Sequence, residues 1–511
     1  MFITAHSSLP SQRAAGVGMH FTSLPGRFGI GDIGSSALGF LDTLVQMGMR
    51  VWQFLPTGPT AYGDSPYQPL SAFAGNENLI GITPLVHEGL LRPNEIEALG
   101  EMPRDIVDYG RLVPIKNELL AMAAQRFERL AGVGLKQRFD DFLEHYDSAW
   151  LDDYAVFRIL KTAHGERPWS EWDPMFVHRE ARAIAQFRQR HNTAIQRVKV
   201  LQFLFWHQWQ TLHAQARDRG IFLFADMPIY IALDSSDAWA HPEMLMVDGE
   251  GRPSEVAGVP PDYFSADGQL WGNPVYDWAF HEEQGFQWWI ERLRHAAHMS
   301  DLVRIDHFRG FEAYWSVQFG ARTAREGSWR PGPGEKLFDA LAEAMQELPI
   351  VAEDLGVITP EVDKLRKRYG IPGMVVLQFE VSDPDFSVEH IDENSVCYTG
   401  THDNDTTLGW FRGGHGDTRS PSEVAATQSA ALNATQGRDE SIHLDMIRLA
   451  FSTPSRLAIA PMQDYLGLGS ESRFNIPGTT GDNWRWRVRS NQLNEPFFDQ
   501  IHAMVTDAGR R

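Results

Sequence analysis

Residues 302–311 read LVRIDHFRGF, and this stretch indicates how the chain folds. Its apolar residues suit a strand that is buried on both faces, as in a parallel sheet. The end of the strand carries Arg304, Asp306 and His307. Because side chains alternate along a strand, Arg304 and Asp306 should point to the same side, where the guanidinium would keep the carboxylate ionised. Charged residues at the C-terminal end of a buried strand are typical of the active face of an α/β barrel.

Seven further apolar runs alternate with sequence of helical periodicity. The eight predicted strands begin near Gly16, Val51, Ile221, Leu302, Ile350, Met374, Val396 and Leu457. Eight strands that alternate with helices predict an α/β fold of the (β/α)8 TIM-barrel type over residues 1–511.

Two intervals between predicted strands are too long to be barrel loops. Residues 57–219 carry helical patterns and are expected to form an inserted, mainly helical subdomain between the second and third strands. Residues 232–278 are expected to form a second insertion, whose segment 257–273 would cover the substrate. The polar residues 413–436 are expected to form a surface connection.

The composition excludes several classes of protein. The 511 residues include 46 Lys and Arg against 67 Asp and Glu, a net charge of −21, which disfavours nucleic acid and anionic membranes as partners. The single cysteine, Cys397, rules out an internal disulfide and suits a reducing compartment. Since neither a leader peptide nor a membrane-spanning run is evident, we expect a cytoplasmic protein, either a monomer or a weak homo-oligomer.

A glycine pattern at residues 29–34, G-x-G-x-x-G, resembles a dinucleotide-binding fingerprint. That fingerprint needs its glycines directly after a strand, whereas Pro25 and Gly26 intervene here. Residues 403–407 resemble the start of an EF-hand loop, but Leu408 stands where that loop needs glycine. We therefore predict neither a cofactor nor a metal.

Three carboxylates follow the ends of predicted strands. Asp306 follows the fourth strand, Glu353 the fifth and Asp403 the seventh. Because a barrel brings these strand ends to one mouth, the three acids should converge. Closely spaced carboxyl groups do not all ionise readily, so one of them should keep its proton to higher pH. Cleavage of a glycosidic bond requires such a pair, one acid that donates a proton and one carboxylate that attacks the sugar.

The surroundings of each carboxylate suggest its role. Arg304 should keep Asp306 anionic, which favours Asp306 as the nucleophile. Glu353 has the longer side chain and no cation on its own strand, which favours it as the general acid/base. Asp403 and the adjacent His402 would hold sugar hydroxyls and distort the ring. A salt bridge at a strand end would explain any one of these acids, but it explains all three together less well.

A series of motifs in one order resembles glycoside hydrolase family 77, the amylomaltases or 4-α-glucanotransferases of the α-amylase clan. The motifs cover nearly the whole chain and are Thr22–Pro25, Gly29–Asp32, Tyr62–Gln68, Asp226–Tyr230, Ala257–Asn273, Arg304–Gly310, Ala352–Gly356, Gly400–Thr406 and Gly467–Gly478. The resemblance implies retaining transfer of an α-1,4-glucan segment to the 4-hydroxyl of another glucan or of glucose, through a covalent glucosyl-aspartate. The substrates would be maltooligosaccharides and starch-type glucans.

The resemblance also implies a set of site residues. Asp306 corresponds to the nucleophile of the family, Glu353 to its acid/base and Asp403 to its third carboxylate. Further residues match positions that bind substrate in the family, namely Arg304, His402, Tyr67, Ser65, Asp262, Trp271, Asp226, Asn404 and Asn475.

Three alternatives remain at this stage. An α-glucan hydrolase on the same barrel would share the carboxylates, so that only its products would distinguish it. A non-catalytic glucan-binding protein would keep the groove without the chemistry, and the intact acids argue against it. An NAD-linked oxidoreductase rests only on the glycine pattern.

Overall fold

The computed structural model describes residues 9–60, 62–261, 267–414, 416–479 and 481–510. These residues form twelve strands: β1 (Ala14–Gly18), β2 (Val51–Gln53), β3 (Phe222–Pro228), β4 (Glu255–Val259), β5 (Gln269–Pro274), β6 (Leu302–Asp306), β7 (Ala313–Gln318), β8 (Gly327–Pro331), β9 (Ile350–Ala352), β10 (Gly373–Val376), β11 (Ser395–Tyr398) and β12 (Leu457–Pro461).

Eight of these strands form one parallel sheet, in the order β10-β11-β12-β1-β2-β3-β6-β9. The two outer strands of this order also meet, because the amide of Ala352 in β9 donates a hydrogen bond of 2.8 Å to the carbonyl of Pro372, just before β10. The sheet therefore closes on itself. These are the eight strands that the sequence predicts, and the (β/α)8 barrel is confirmed.

The interior of the barrel is packed with apolar side chains at the N-terminal ends of the strands. Each of the eight strands contributes at least one buried side chain to a single cluster, which includes Ala14, Val51, Phe224, Leu302, Val351, Met374, Val396 and Leu457. Filling this end leaves the C-terminal end as the open mouth, where the charged residues emerge.

The described helices surround the barrel and build its insertions. They are α1 (Ser35–Gln46), α2 (Ile82–His87), α3 (Tyr109–Leu130), α4 (Val133–Tyr146), α5 (Asp152–Ala163), α6 (Pro174–Val177), α7 (Ala181–Asp218), α8 (Ser236–Ala240), α9 (Trp278–Glu283), α10 (Gln287–Met299), α11 (Glu335–Ala344), α12 (Pro360–Arg368), α13 (Leu377–Glu380), α14 (Thr407–Arg412), α15 (Pro421–Thr435), α16 (Ile442–Ser452), α17 (Met462–Tyr465) and α18 (Glu495–Asp507). None of them is long and apolar enough to cross a membrane.

Six of these helices, α2 to α7, lie between β2 and β3. The longest, α7, has 38 residues and begins at Ala181, before the start near residue 194 that apolar spacing indicates. Its buried residues, which include Phe203, Trp209 and Leu212, pack in the main hydrophobic core beside the barrel. The helical part of the interval is thereby attached to the barrel through a continuous apolar interface.

A second sheet was not expected from the sequence. Four antiparallel strands pair in the order β5-β4-β7-β8. The first two belong to the insertion at residues 232–278, whereas β7 and β8 follow β6 directly. The strand β8 is short and mostly exposed, so it lacks the apolar alternation by which strands are recognised.

The polar residues 413–436 lie mostly at the surface, as expected, but the sequence analysis did not predict that the helix α15 occupies most of them. The helix begins with a capping box, in which the Ser420 hydroxyl accepts from the amide of Glu423 and the Glu423 carboxylate accepts from the amide of Ser420. Pro421 stands at the first helical position, where its missing N–H is harmless.

The glycine pattern at residues 29–34 serves local packing. A Cβ atom on Gly31 would lie 2.0 Å from the carbonyl oxygen of Phe21, so only glycine fits there. The carboxylate of Asp32 accepts hydrogen bonds from the amides of Gly34 at 3.0 Å and Ser36 at 3.2 Å, at the start of α1. The pattern therefore shapes the entry into a barrel helix.

A buried arginine near the C-terminus joins several segments of the barrel. Arg510 is fully buried, and its guanidinium donates to the carbonyls of Ala14 at 3.1 Å, Phe451 at 2.8 Å, Thr453 at 2.8 Å and Ser455 at 2.9 Å. Ala14 opens β1, and the other three acceptors precede β12. One side chain thereby satisfies four buried carbonyl groups.

Replacing Arg510 with methionine should destabilise the fold, because an apolar side chain of similar length removes the guanidinium donors from these carbonyls. Among the described residues, only the carbonyl of Phe451 has a second guanidinium donor, Arg13. We expect a loss of about 3 kcal/mol in the free energy of unfolding, and a fall of about 3 °C in the melting temperature of a chain of this size, measured by calorimetry. The exposed Arg322 provides the control, since Arg322→Met should shift the melting temperature by less than about 1 °C. An equal shift in both variants would contradict this role.

Candidate active site

Arg304 lies between two carboxylates at the mouth of the barrel. Its guanidinium donates to Oδ2 of Asp226 at 2.6 Å and to Oδ1 of Asp306 at 3.0 Å. Arg304 and Asp226 stand side by side in the paired strands β6 and β3, and both are less than 10 % exposed. The side chains of Arg304 and Asp306 do share one side of β6, as strand periodicity predicts.

Glu353 follows β9 and approaches Asp306 through the turn after β6. One carboxylate oxygen accepts from the amide of His307 at 2.7 Å, and the other accepts from the amide of Leu355 at 2.9 Å. His307 adopts a left-handed conformation, with φ of 54°, which turns its amide towards Glu353. Such a conformation is uncommon outside glycine and often occurs at functional sites.

The electrostatic surroundings of Glu353 favour its neutral form. Burial raises the pKa of Glu353 to about 7, Arg304 opposes this shift, and the charge of Asp306 adds to it. A carboxyl group with this pKa holds a proton near neutral pH and can still release it. The side chain therefore has the properties of a general acid/base.

Asp403 lies in the turn after β11 and is held by three neighbours. Its carboxylate accepts from the side-chain amide of Asn475 at 2.6 Å and lies 3.3 Å from Nε2 of His402. Its carbonyl accepts from the guanidinium of Arg473 at 2.7 Å. Nearly half of the Asp403 side chain, 47 %, is exposed, so this carboxylate can reach a ligand in the mouth.

Asn404 supports this turn from within. Its side-chain oxygen accepts from the amide of Thr401 at 2.9 Å and from the hydroxyl of the same residue at 2.8 Å. The Thr401 hydroxyl in turn accepts from the amide of Asp403 at 3.3 Å. Asn404 thus orients Asp403 through the backbone.

Tyr67 links the two halves of the mouth. Its hydroxyl lies 2.9 Å from Oδ2 of Asp226, to which it donates, and 2.8 Å from Nε2 of His402. The rings of Tyr67 and His402 are stacked, with 5.2 Å between their centroids. Ser65 supports this loop, because its hydroxyl accepts from the amide of Tyr67 at 3.3 Å.

Trp271, in the segment 257–273 that is expected to cover the substrate, contacts the turn after β6. The ring of Trp271 meets the edge of His307 with 4.8 Å between centroids. Burial lowers the pKa of His307 to about 4, so its imidazole is neutral at physiological pH. Asp262, which the resemblance assigns to substrate, lies outside the described residues, as do Tyr263 and Phe264 of the same segment.

Trp484 is a site neighbour that sequence reasoning overlooked. Its ring lies 6.0 Å from Tyr67 and 6.2 Å from His402 between centroids, and its backbone is left-handed, with φ of 65°. One tryptophan among sixteen carries no signal that separates a site residue from a core residue. Its role follows only from its position against the stacked pair.

The described residues contain no cluster of three or more His, Cys, Asp or Glu side chains suited to a metal ion. The carboxylates at the mouth are instead occupied by arginine, amide and backbone donors. The arrangement combines a carboxylate that accepts from the Arg304 guanidinium, that of Asp306, with the nearby carboxyl group of Glu353, whose pKa is raised.

Comparison with known proteins identifies the family. Residues 19–493 match the glycoside hydrolase 77 family, described as 4-alpha-glucanotransferase. The chain is 46 % identical to the 4-alpha-glucanotransferase of Thermus thermophilus over 96 % of this chain and 98 % of that one, and 44 % identical to that of Synechocystis over 98 % of each. The chain belongs to glycoside hydrolase family 77. It is an enzyme, a 4-α-glucanotransferase, as the sequence resemblance implies.

The fold of this glucanotransferase agrees with a solved amylomaltase. The amylomaltase of Streptococcus agalactiae, determined in complex with acarbose, superposes with a TM-score of 0.92 at 37 % identity, over 98 % of this chain and all of that one. The chain therefore shares its fold with that amylomaltase along almost its whole length.

The raised pKa of Glu353 predicts an alkaline limit to the activity of the glucanotransferase. Glu353 holds its proton below about pH 7 and loses it above that value. If this proton reaches the leaving group, kcat/KM should fall as the pH rises through about 7. Initial rates of transfer, measured from about pH 5 to about pH 9, would show the decline.

A second measurement isolates the cause of this shift. Because the charge of Asp306 raises the pKa of Glu353, the substitution Asp306→Asn should lower that pKa, as observed by carbon-13 NMR of labelled glutamate. A flat pH profile, or an unchanged pKa of Glu353 in Asp306→Asn, would contradict the assignment.

Proposed function

We propose that the enzyme transfers a segment of α-1,4-glucan to the 4-hydroxyl of another glucan or of glucose, with retention of configuration and through a covalent glucosyl-Asp306 intermediate. The observation that supports this proposal most directly is the pairing of Asp306, held by Arg304, with Glu353, whose pKa is raised to about 7. Retaining glycosidases require one carboxylate that attacks and one carboxyl group that alternates between acid and base.

In the first step, Asp306 attacks the anomeric carbon of the donor while Glu353 protonates the oxygen of the departing glucan. Arg304 supports this role because its guanidinium, 3.0 Å from Asp306, favours the anionic form. The proton on Glu353 is available because burial disfavours the charge of that carboxyl group. The C–O bond breaks, and a glycosyl ester to Asp306 forms.

In the second step, Glu353 removes the proton from the 4-hydroxyl of an acceptor. The acceptor oxygen then attacks the anomeric carbon and releases Asp306 as a carboxylate. Two inversions restore the α configuration. Because the acceptor is a sugar and not water, the products are rearranged glucans, and the number of glycosidic bonds is unchanged.

The remaining site residues would bind the sugar at the cleaved bond. Asn475 donates a hydrogen bond to Asp403, and His402 lies 3.3 Å from the same carboxylate, which is partly exposed and suited to sugar hydroxyls. Tyr67 offers a ring face beside them, against which the apolar face of a sugar packs. Asp226 and Asn404 are assigned to positioning, since Asp226 contacts Arg304 and Asn404 orients the turn of Asp403.

Transfer in preference to hydrolysis requires that water be excluded from the intermediate. We assign this task to the segment at residues 257–273, within the second insertion at residues 232–278. Its described part includes Trp271, whose ring contacts His307 next to Asp306. The insertion at residues 57–219 would support the mouth through Tyr67, which hydrogen-bonds to Asp226. The proposed substrates are maltooligosaccharides and starch-type glucans, and the proposed location is the cytoplasm.

Incubation with maltotriose alone would test the proposed transfer. We expect glucose together with a ladder of longer maltooligosaccharides, resolved by chain length over time. The substitution Asp306→Asn should reduce this activity by about ten-thousandfold, because it removes the nucleophile. The exposed Asp385 offers a matched control, and Asp385→Asn should retain full activity.

The other outcomes of this experiment exclude the proposal. Glucose and maltose with nothing longer would make the enzyme a hydrolase. Binding of maltotriose without turnover would make it a glucan-binding protein.

The configuration of the new linkages tests the covalent intermediate separately. Two displacements predict that proton NMR of the longer products shows only α-1,4 signals for the linkages between glucose units, beside the α and β signals of the free reducing end. The appearance of β-linked signals would require a single displacement, and the role of Asp306 as nucleophile would then be wrong.

A further inference from the structure

An exposed tryptophan stands on the edge of the second sheet. Trp329 lies in β8 and is 38 % exposed, although tryptophan is usually well buried. Its ring is held on two sides. The guanidinium of Arg309 lies 4.0 Å from its centroid, and the ring of Trp315, its partner across the strands, lies 5.3 Å away at 69°. The remaining surface of the ring faces solvent in a fixed orientation.

Arg309 connects the ring of Trp329 to the turn after β6, which follows Asp306. It follows Asp306 by three residues, so their Cα atoms are at most about 11 Å apart. Arg309 is 8 % exposed, and its guanidinium donates to the carbonyl of Val357 in the loop that begins with Glu353. The cation beneath Trp329 thus bridges the segments that carry Asp306 and Glu353.

The backbone attaches β8 to the same turn. The amide of Gly332 donates to the carbonyl of Glu312 at 2.8 Å, and the amide of Gly334 donates to the carbonyl of Phe311 at 2.8 Å. A Cβ atom on Gly332 would lie 2.2 Å from the carbonyl oxygen of Phe311, so the backbone after β8 packs against the turn after β6 more closely than any residue with a side chain would allow. Trp329 is therefore fixed relative to the reacting groups.

Packing within the sheet does not explain this exposure. A cross-strand pair of tryptophans stabilises two strands, but 38 % of the Trp329 surface remains exposed beyond its contacts with Trp315 and Arg309. The exposed Phe319, which follows β7 on the same sheet, has no ring or cation contact among the described side chains. A tryptophan that is both exposed and immobilised resembles the rigid aromatic anchors of binding surfaces, which lose little conformational entropy on binding.

We propose that Trp329 is a binding subsite for the glucan on the leaving-group and acceptor side, several glucose units from the reacting bond. The proposal rests on the function proposed above. Glu353 protonates the leaving glucan and deprotonates the acceptor, so the loop that follows Glu353 borders that part of the chain. The apolar face of a glucose unit stacks on the free surface of the ring, as sugars do on aromatic side chains.

The position of Trp329 makes its contribution depend on chain length. A short glucan that fills the reacting centre does not extend to β8, whereas a chain several units longer does. Binding energy from this remote contact favours long leaving groups and long acceptors. Trp329 is therefore a residue that determines specificity for chain length.

Kinetics with two donor lengths test this subsite. Trp329→Ala and Trp329→Leu should lower kcat/KM for maltoheptaose by about tenfold, and for maltotriose by clearly less, since one stacking contact of this strength is lost. Trp329→Phe keeps a flat ring and should stay within about twofold of the wild type. Phe319→Ala serves as the exposed aromatic control and should leave both values unchanged.

Binding without turnover provides the second measurement. In an Asp306→Asn background, calorimetry with maltoheptaose should show about tenfold weaker binding when Trp329→Leu is added. An equal fall in kcat/KM for both donors would overturn the subsite. So would an unchanged kcat/KM for maltoheptaose, or an unchanged affinity for it in the calorimetry. Failure of the wild type to transfer maltotriose would overturn the proposed function instead, while the calorimetry would still report on Trp329.

Discussion

The site depends on the placement of Arg304 between Asp226 and Asp306. The guanidinium lies 2.6 Å from one carboxylate and 3.0 Å from the other. Buried charges are stable only when they are paired, and loss of the cation would leave two carboxylates facing each other on neighbouring strands. The parallel register of β3 and β6 is what brings these groups together. The same cation contacts Asp306 through one carboxylate oxygen, and the side chain of Asp306 remains partly exposed at the mouth.

A continuous hydrogen-bonded chain extends from this cation across the mouth. It runs from Arg304 through Asp226 and Tyr67 to His402, whose Nε2 lies 3.3 Å from the carboxylate of Asp403. Each member has a partner on a different barrel segment, so the position of each depends on the closure of the barrel. Such a network holds its groups in one geometry before substrate arrives, which reduces the reorganisation needed in the transition state. The second sheet and the turn after β6 then extend this rigid frame outwards to Trp329.

The errors of the sequence reading share a physical cause. The strands β7 and β8 were overlooked because β8 is mostly exposed and its pairing with β7 satisfies the backbone without an apolar pattern. The helix α15 was overlooked because polar composition was given more weight than the capping box at Ser420. In both cases the element is stabilised by hydrogen bonds to the backbone, the pairing of β7 with β8 and the capping box of α15. Such bonds do not produce a periodic pattern of apolar residues.

The sequence by itself determined the eight barrel strands, the family and the three acids at the strand ends, because alternation, burial and motif spacing are local properties. Only the tertiary structure decided that burial raises the pKa of Glu353 and that Tyr67 stacks on His402. It also decided that Trp484 lies beside this stacked pair and that Trp329 lies against Arg309. These features arise from desolvation and contact between segments distant in the chain. They exist only once the barrel has closed.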